Sequence, residues 1–162
     1  MKKNLIIFIF GAALIVALDQ ITKAVIIENF SLHESRTIIN GLFNIVYVMN
    51  PGAAFGFLAN ASEIFRRIFF IGITLTVILL IIYYIVKSKL QNTLYVISLT
   101  LIFSGAVGNL IDRIRFGAVV DFLDVYIGTA HWPAFNVADS SISIGAALMI
   151  FGMIVQRKKE KK

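Results

Sequence analysis

The chain has 162 residues, 59% of them hydrophobic and only 15% charged, and a formal net charge of +6. An ordinary soluble domain is roughly 45–50% apolar, and one this small has too little interior to hide the excess, so a soluble globular fold is excluded in favour of one compact membrane domain over 1–162. With no cysteine and only two histidines, a thiol nucleophile, a disulfide framework and a histidine metal cluster are excluded as well.

In chain order, Leu5 to Leu18 is apolar and follows a Lys-Lys start, as in a cleavable signal peptide. The apolar pattern resumes after Asp19-Gln20, however, and no small-x-small cleavage site follows. A helix over 5–27 would be about 35 Å long, enough to span a bilayer. Asp19 and Lys23 are four apart with the acid first, which predicts a shared face and a structural ion pair.

Residues 28–63 are polar enough to leave the hydrocarbon. Arg36 to Asn40 and Leu42 to Met49 read as two strands joined through Asn40-Gly41, a hairpin signal, with β-branched and aromatic residues at Ile45, Val46, Tyr47 and Val48. Asn50-Pro51-Gly52 suits a type II turn. The small apolar stretch from Ala53 to Leu58 is too short to cross and is expected to rest on the membrane surface. Further helices are expected over 66–86, 94–112 and 138–155. The third carries small residues at Ser104, Gly105, Ala106 and Gly108, which let a neighbouring backbone approach. Segment 113–137 reads as a returning loop. The fold class is thus an all-α integral membrane protein with four transmembrane helices and a small extracytoplasmic β element between the first and second.

Lys/Arg asymmetry orients the chain. The termini and the 87–92 loop hold nine of the fifteen basic residues, so both termini are expected in the cytoplasm. The same distribution argues against nucleic acid, because the charge marks topology rather than a phosphate-binding stripe. Eight of the nine carboxylates then fall in the outer half, and Glu160 alone does not.

Two of those acids suggest chemistry. Asp121 lies just beyond the third crossing and Asp139 opens the fourth, eighteen residues later. A loop returning between adjacent helices brings the two carboxyls within reach of one proton. An ionised member would then take a proton from water while a protonated member polarises a scissile carbonyl. A carboxylate at the start of a helix is favoured, which makes Asp139 the ionised candidate, although an Asp there is also an ordinary N-cap. Asn109 and Asn136 either orient the pair or cap helices. Arg113 either neutralises the site or anchors to lipid phosphate. Asp112 reads as an interfacial ion pair and His131-Trp132-Pro133 as an interfacial aromatic anchor. Ser140 and Ser141 lack a basic partner in sequence. A proton-relaying transporter would spread acids through the depth of the bilayer, yet the middles of the last three helices are uncharged. A passive scaffold would leave both acids without a task.

Asp19-Gln20-x-x-Lys23, Asn50-x-Gly52-x-x-Phe55-Gly56, Gly105-x-x-Gly108-Asn109-x-x-Asp112-Arg113, Val120-Asp121-Phe122 and Phe135-Asn136-x-Ala138-Asp139 occur in order along nearly the whole chain. The set resembles the lipoprotein signal peptidases of bacteria, also called signal peptidase II. That resemblance implies a four-helix membrane aspartic protease that cuts prolipoproteins just before the diacylglyceryl-modified cysteine, without a cofactor or metal. It implies Asp121 and Asp139 as the catalytic pair, Asn50, Gly52, Asn109, Arg113 and Asn136 as substrate-binding or supporting residues, and Asp19 and Lys23 as structural support. The implied partners are lipid-modified prolipoproteins and membrane lipid, with the enzyme acting as a monomer and sensitive to globomycin-type cyclic peptides. Ser104 stands where the family often has glycine, and Pro51 follows Asn50 where other residues are common.

Overall fold

The computed structural model describes residues 2–52, 58, 61–87 and 92–160. In order these form α1 (Lys2–Asn29), β1 (Ser35–Ile39), β2 (Phe43–Asn50), α2 (Glu63–Lys87), α3 (Thr93–Phe116), β3 (Val119–Ile127), β4 (Ala130–His131) and α4 (Val137–Glu160). All four helices are long and apolar enough to cross a membrane. Their outer faces are correspondingly greasy: Phe10 is 71% exposed, Ile64 73% and Val86 74%. Lipid tails cover such side chains, so exposing them is not the cost it would be in water.

The bundle is arranged around α3, which packs against each of the other helices. Its small residues are the reason. A Cβ on Gly105 would run into the backbone carbonyl of Ala138, and one on Gly108 into the Asp19 carboxylate, so α4 and α1 close onto α3 only because both positions are glycine. Ser104 tolerates the same crowding by turning its hydroxyl back to the Thr100 carbonyl, at 2.8 Å. Helix α2 packs chiefly on α3, and aromatic and aliphatic residues seal α1, α2 and α3 together around Phe8, Ile81, Ile85, Val96 and Leu99.

The β element is larger than expected and is not confined to the segment between the first two helices. A single antiparallel sheet has the order β1-β2-β3-β4, so half of its strands come from 119–131, which the sequence reading treats as loop. Val119, Val120, Phe122, Val125, Tyr126 and Ile127 are strand formers. Their partner strand lies some 70 residues away, and nothing local announces it. The hairpin between β1 and β2 turns through Gly41 at φ 78°, where glycine bears the left-handed conformation without strain. The Tyr126 hydroxyl accepts from the Gly41 N–H at 2.9 Å and ties that turn to β3.

Helix α3 also continues four residues beyond its expected end at 112. Asp112, Arg113 and Arg115 look like a water boundary in sequence, but the helix stops only at Gly117, whose φ of 75° and N–H bond to the Arg113 carbonyl form its C-terminal cap. The apolar stretch 53–57 and the loop residues 88–91 lie outside the described residues.

Candidate active site

Asp121 is positioned by strand alternation. In β3, Val120 and Phe122 turn to one face and pack with Ile26 of α1. Asp121, with its side chain opposite, points into a cavity of about 870 Å³. Asp139 reaches the same cavity from the first turn of α4. It is not the cap of that helix. The Asn136 side-chain oxygen accepts from the Asp139 N–H at 2.9 Å, and the Asn136 carbonyl accepts from the Ser140 N–H. Asn136 therefore does the capping, and the Asp139 carboxyl is left free to face inward.

Three asparagine amides surround the two acids. Asn136 donates to Asp121 Oδ1 at 2.7 Å, Asn50 donates to Asp121 Oδ2 at 2.9 Å, and Asn109 donates to Asp139 Oδ1 at 2.8 Å. Asn50 can do so because β2 runs antiparallel to β3, with Asn50 opposite Val119 and Val48 opposite Asp121. Its own oxygen accepts from the Gly52 N–H at 3.1 Å, which ties Asn50 to the turn at Gly52, a residue that also lines the cavity. Burial, and then the charge of Asp139, push Asp121 up from the usual carboxylate range to about 7, against the opposing pull of the Asn50 and Asn136 amides.

Below this pair lies a second polar cluster. The Lys23 ammonium meets Asp19 at 2.9 Å, Asp112 at 2.8 Å and the Asn109 side-chain oxygen at 3.1 Å, with 2% of Lys23 exposed. Three donors thus meet three acceptors, the condition for a buried ammonium to offset its desolvation. Asp19 also accepts from the Ala138 N–H, and Asp112 from the Val120 N–H. The ion pair read from the Asp19–Lys23 spacing is present. Asp112, expected in an interfacial pair, is instead buried beneath the site.

Sequence reasoning overlooked Gln20, whose amide donates to Asp19, Asp112 and the Gly108 carbonyl at 3.0–3.2 Å. Its place beside Asp19 and one turn before Lys23 was the available signal. Arg113 lines the cavity and lies over the Phe70 ring at 5.2 Å. Asp124 sits further along β3, bound by Asn44 at 2.8 Å and His131 at 2.9 Å. Trp132, expected as an interfacial anchor, lines the cavity mouth while remaining 61% exposed. Ser140 donates to the Asn136 carbonyl and Ser141 to the Val137 carbonyl, so both hydroxyls are turned into the helix.

Two acids from different elements, served by neutral amides and facing one cavity, are suited to activating water. The family model described as Signal peptidase (SPase) II matches residues 11–155. The chain belongs to this signal peptidase II family. It is 54% identical over 161 residues to the lipoprotein signal peptidase of Syntrophus aciditrophicus (strain SB), covering 99% of each chain. It is 48% identical over 162 residues to that of Geobacter metallireducens, covering 100% of this chain and 99% of the relative. A solved bacterial membrane enzyme superposes with a TM-score of 0.84 at 35% identity, over 96% of this chain and 91% of that one. A second superposes with 0.80 at 34% identity, over 90% and 91%. This signal peptidase II is therefore an aspartic protease and a multi-pass membrane protein, of a family that removes signal peptides from prolipoproteins.

Proposed function

We propose that this peptidase cuts prolipoproteins immediately before the diacylglyceryl-modified cysteine, with Asp121 and Asp139 activating water. The observation that carries the reading is that both acids line one cavity and that, among the described residues, the side chains donating to them are asparagine amides. Asp139 is the ionised partner in the resting enzyme. It sits in the first turn of α4, where the positive end of the helix dipole favours a carboxylate. Asp121, pushed up to about 7, holds the shared proton.

In the reaction Asp139 takes a proton from water as the oxygen attacks the scissile carbonyl carbon. Asp121 gives its proton to the carbonyl oxygen. The tetrahedral intermediate collapses as the proton on Asp139 passes to the leaving nitrogen, and a diol hydroxyl returns one to Asp121. Infrared difference spectra of the Asn variants check the assignment. A protonated-carboxyl band that survives Asp121→Asn and vanishes in Asp139→Asn reverses it.

The cavity supports a lipid-bearing substrate. Away from the acids it is walled by Ile73 and Val77 of α2, Ile102 and Ala106 of α3 and Ile142 of α4. Apolar walls of this kind, with polar groups gathered at the acids, suit an apolar chain such as a signal helix or an acyl chain. The same cavity is the place for a globomycin-type cyclic peptide. On this reading both termini are cytoplasmic, as their basic residues favour, the sheet and the acids lie on the extracytoplasmic face, and the enzyme acts as a monomer. Because the chain has no cysteine, Gly128→Cys gives one reporter thiol. Labelling of intact cells by an impermeant reagent is expected, and protection until lysis would reverse the orientation.

The decisive experiment is cleavage of a diacylglyceryl-modified prolipoprotein by detergent-purified enzyme. Asp139→Asn is expected to abolish it. Undiminished cleavage by that variant removes the mechanism, and equal cleavage of the unlipidated precursor removes the substrate assignment.

A further inference from the structure

Each asparagine that donates to the acids has its own oxygen held by a different donor. Asn50 is held by the Gly52 N–H and Asn136 by the Asp139 N–H, both backbone groups that no side-chain substitution removes. The Asn109 oxygen is held by the Lys23 ammonium at 3.1 Å and by the Asn136 amide at 3.3 Å. The second of these is the weaker restraint. The Asn136 NH2 has two hydrogens for three acceptors, Asp121 Oδ1 at 2.7 Å, the Val120 carbonyl at 3.2 Å and Asn109, and Asn109 is the most distant.

We propose that Lys23 is a positioning residue for peptide cleavage: it holds the Asn109 oxygen away from the acids, so that Asn109 presents a donor and not an acceptor to Asp139. The proposal rests on the reading of Asp121 and Asp139 as the catalytic pair. An amide has two faces of nearly equal shape. Turned over, Asn109 would set its NH2 against the Lys23 ammonium and its oxygen against Asp139 Oδ1, donor on donor and acceptor on acceptor. With Lys23 in place that arrangement is excluded. Without it, little opposes the flip once Asp139 gains a proton, because a protonated carboxyl can donate to the Asn109 oxygen. Lys23 therefore keeps Asp139 in a setting that serves its ionised form.

The charges that bear on Lys23 are Asp19 from α1 and Asp112 from α3 in direct contact, and Asp121 of β3 and Asp139 of α4 at longer range. Arg113 of α3 is the other cation near the acids. Removing Lys23 alone would leave two carboxylates buried without a cation. The informative variant leaves one such carboxylate, Asp19: Lys23→Met with Asp112→Asn, measured beside Asp112→Asn alone.

The test uses the full chain in detergent and a synthetic diacylglyceryl-modified prolipoprotein. Relative to Asp112→Asn, the double variant leaves Asp19 without its cation and is expected to melt lower, to keep its KM, to lose about tenfold or more in kcat per folded enzyme, and to have the acid limb of its rate profile moved to higher pH. A purely structural lysine would lower the melting temperature to the same extent but leave both kcat per folded enzyme and the rate profile unchanged. An equal kcat and an unmoved profile overturn the proposal. Should the methionine variant fail to fold, Lys23→Gln with Asp112→Asn carries the same test. Its amide can hydrogen-bond within the pocket but ends one atom short of Asn109, so an undiminished kcat again overturns the proposal. Asp121→Asn and Asp139→Asn run in the same assay separate the two failures. If they remain active, the catalytic pair itself is wrong. If they are inactive while the Lys23 variants match Asp112→Asn, only the role of Lys23 is lost.

Discussion

Two clusters of acids sit one above the other on α3, and they differ in what answers their charge. In the lower one, Asp19 and Asp112 share the Lys23 ammonium, the Gln20 amide and two backbone N–H groups, and both are at most 1% exposed. In the upper one, the side chains that donate to Asp121 and Asp139 among the described residues are asparagine amides, with no cation in direct contact there, and both acids open onto a cavity. A carboxylate saturated by a cation and fixed donors is expected to be inert, and one met by neutral amides beside a second acid to be reactive, as the proposed catalytic pair requires. The lower cluster holds four elements together, α1, α3, β3 and α4, and the upper one stands on it.

Substitutions should separate these roles cleanly. The largest expected effect is on catalysis. Asp121→Asn and Asp139→Asn should each lower kcat about a thousandfold or more while the melting temperature stays near wild type. Cleavage assays and thermal melts on the same preparations check this, and loss of fold in either would blur the contrast. Next comes Asp19→Ala, which leaves the Ala138 N–H without an acceptor and Lys23 with one carboxylate. It should cost about 3–5 kcal/mol of stability, read from unfolding in detergent. Retention of full stability would mean that the lower cluster is not a structural joint.

A pH series sharpens the comparison further. Asp121 is raised to about 7 in the folded protein, above its ordinary value, so the folded state holds that proton more tightly than the unfolded chain. The corresponding stability is full below the ordinary carboxylate range and is lost as pH rises through about 7. kcat should fall over the same upper interval as the proton leaves Asp121. In Asp121→Asn the stability loss across that interval should disappear. Asn50→Ala removes a donor that favours the ionised form of Asp121, so its alkaline limb should move to higher pH. A limb unmoved in Asn50→Ala would show that the amide does not act on Asp121. The smallest effect is expected at His131, which pairs with Asp124 while 49% exposed. His131→Gln should change stability by less than about 1 kcal/mol and leave kcat nearly untouched.

Much of the bundle was legible because lipid imposes a coarse rule. A run of apolar residues near the needed length is a helix, since no other backbone satisfies itself in hydrocarbon. The Asp19–Lys23 pair was legible from the i,i+4 geometry of one helix, and the β1–β2 hairpin from Asn40-Gly41 between two strand-forming runs. Segment 119–131 was not. Its pairing partner is β2, far away in sequence, and β propensity says little until a partner edge is present. Asp112 was misread for a related reason. Beside Arg113 it looks like a surface charge, and only the approach of α1 at Gly108 puts Lys23 against it.

By itself the sequence determined the four helices long and apolar enough to cross a membrane and the two acids worth testing, because hydropathy and local spacing act over a few turns of one chain segment. The tertiary structure alone decided that Asn136 and not Asp139 caps α4, that β3 turns Asp121 toward the same cavity, and that Lys23 closes on Asp112 and Asn109. Those outcomes depend on which faces of distant elements meet, and donor and acceptor directions exist only once the elements are packed.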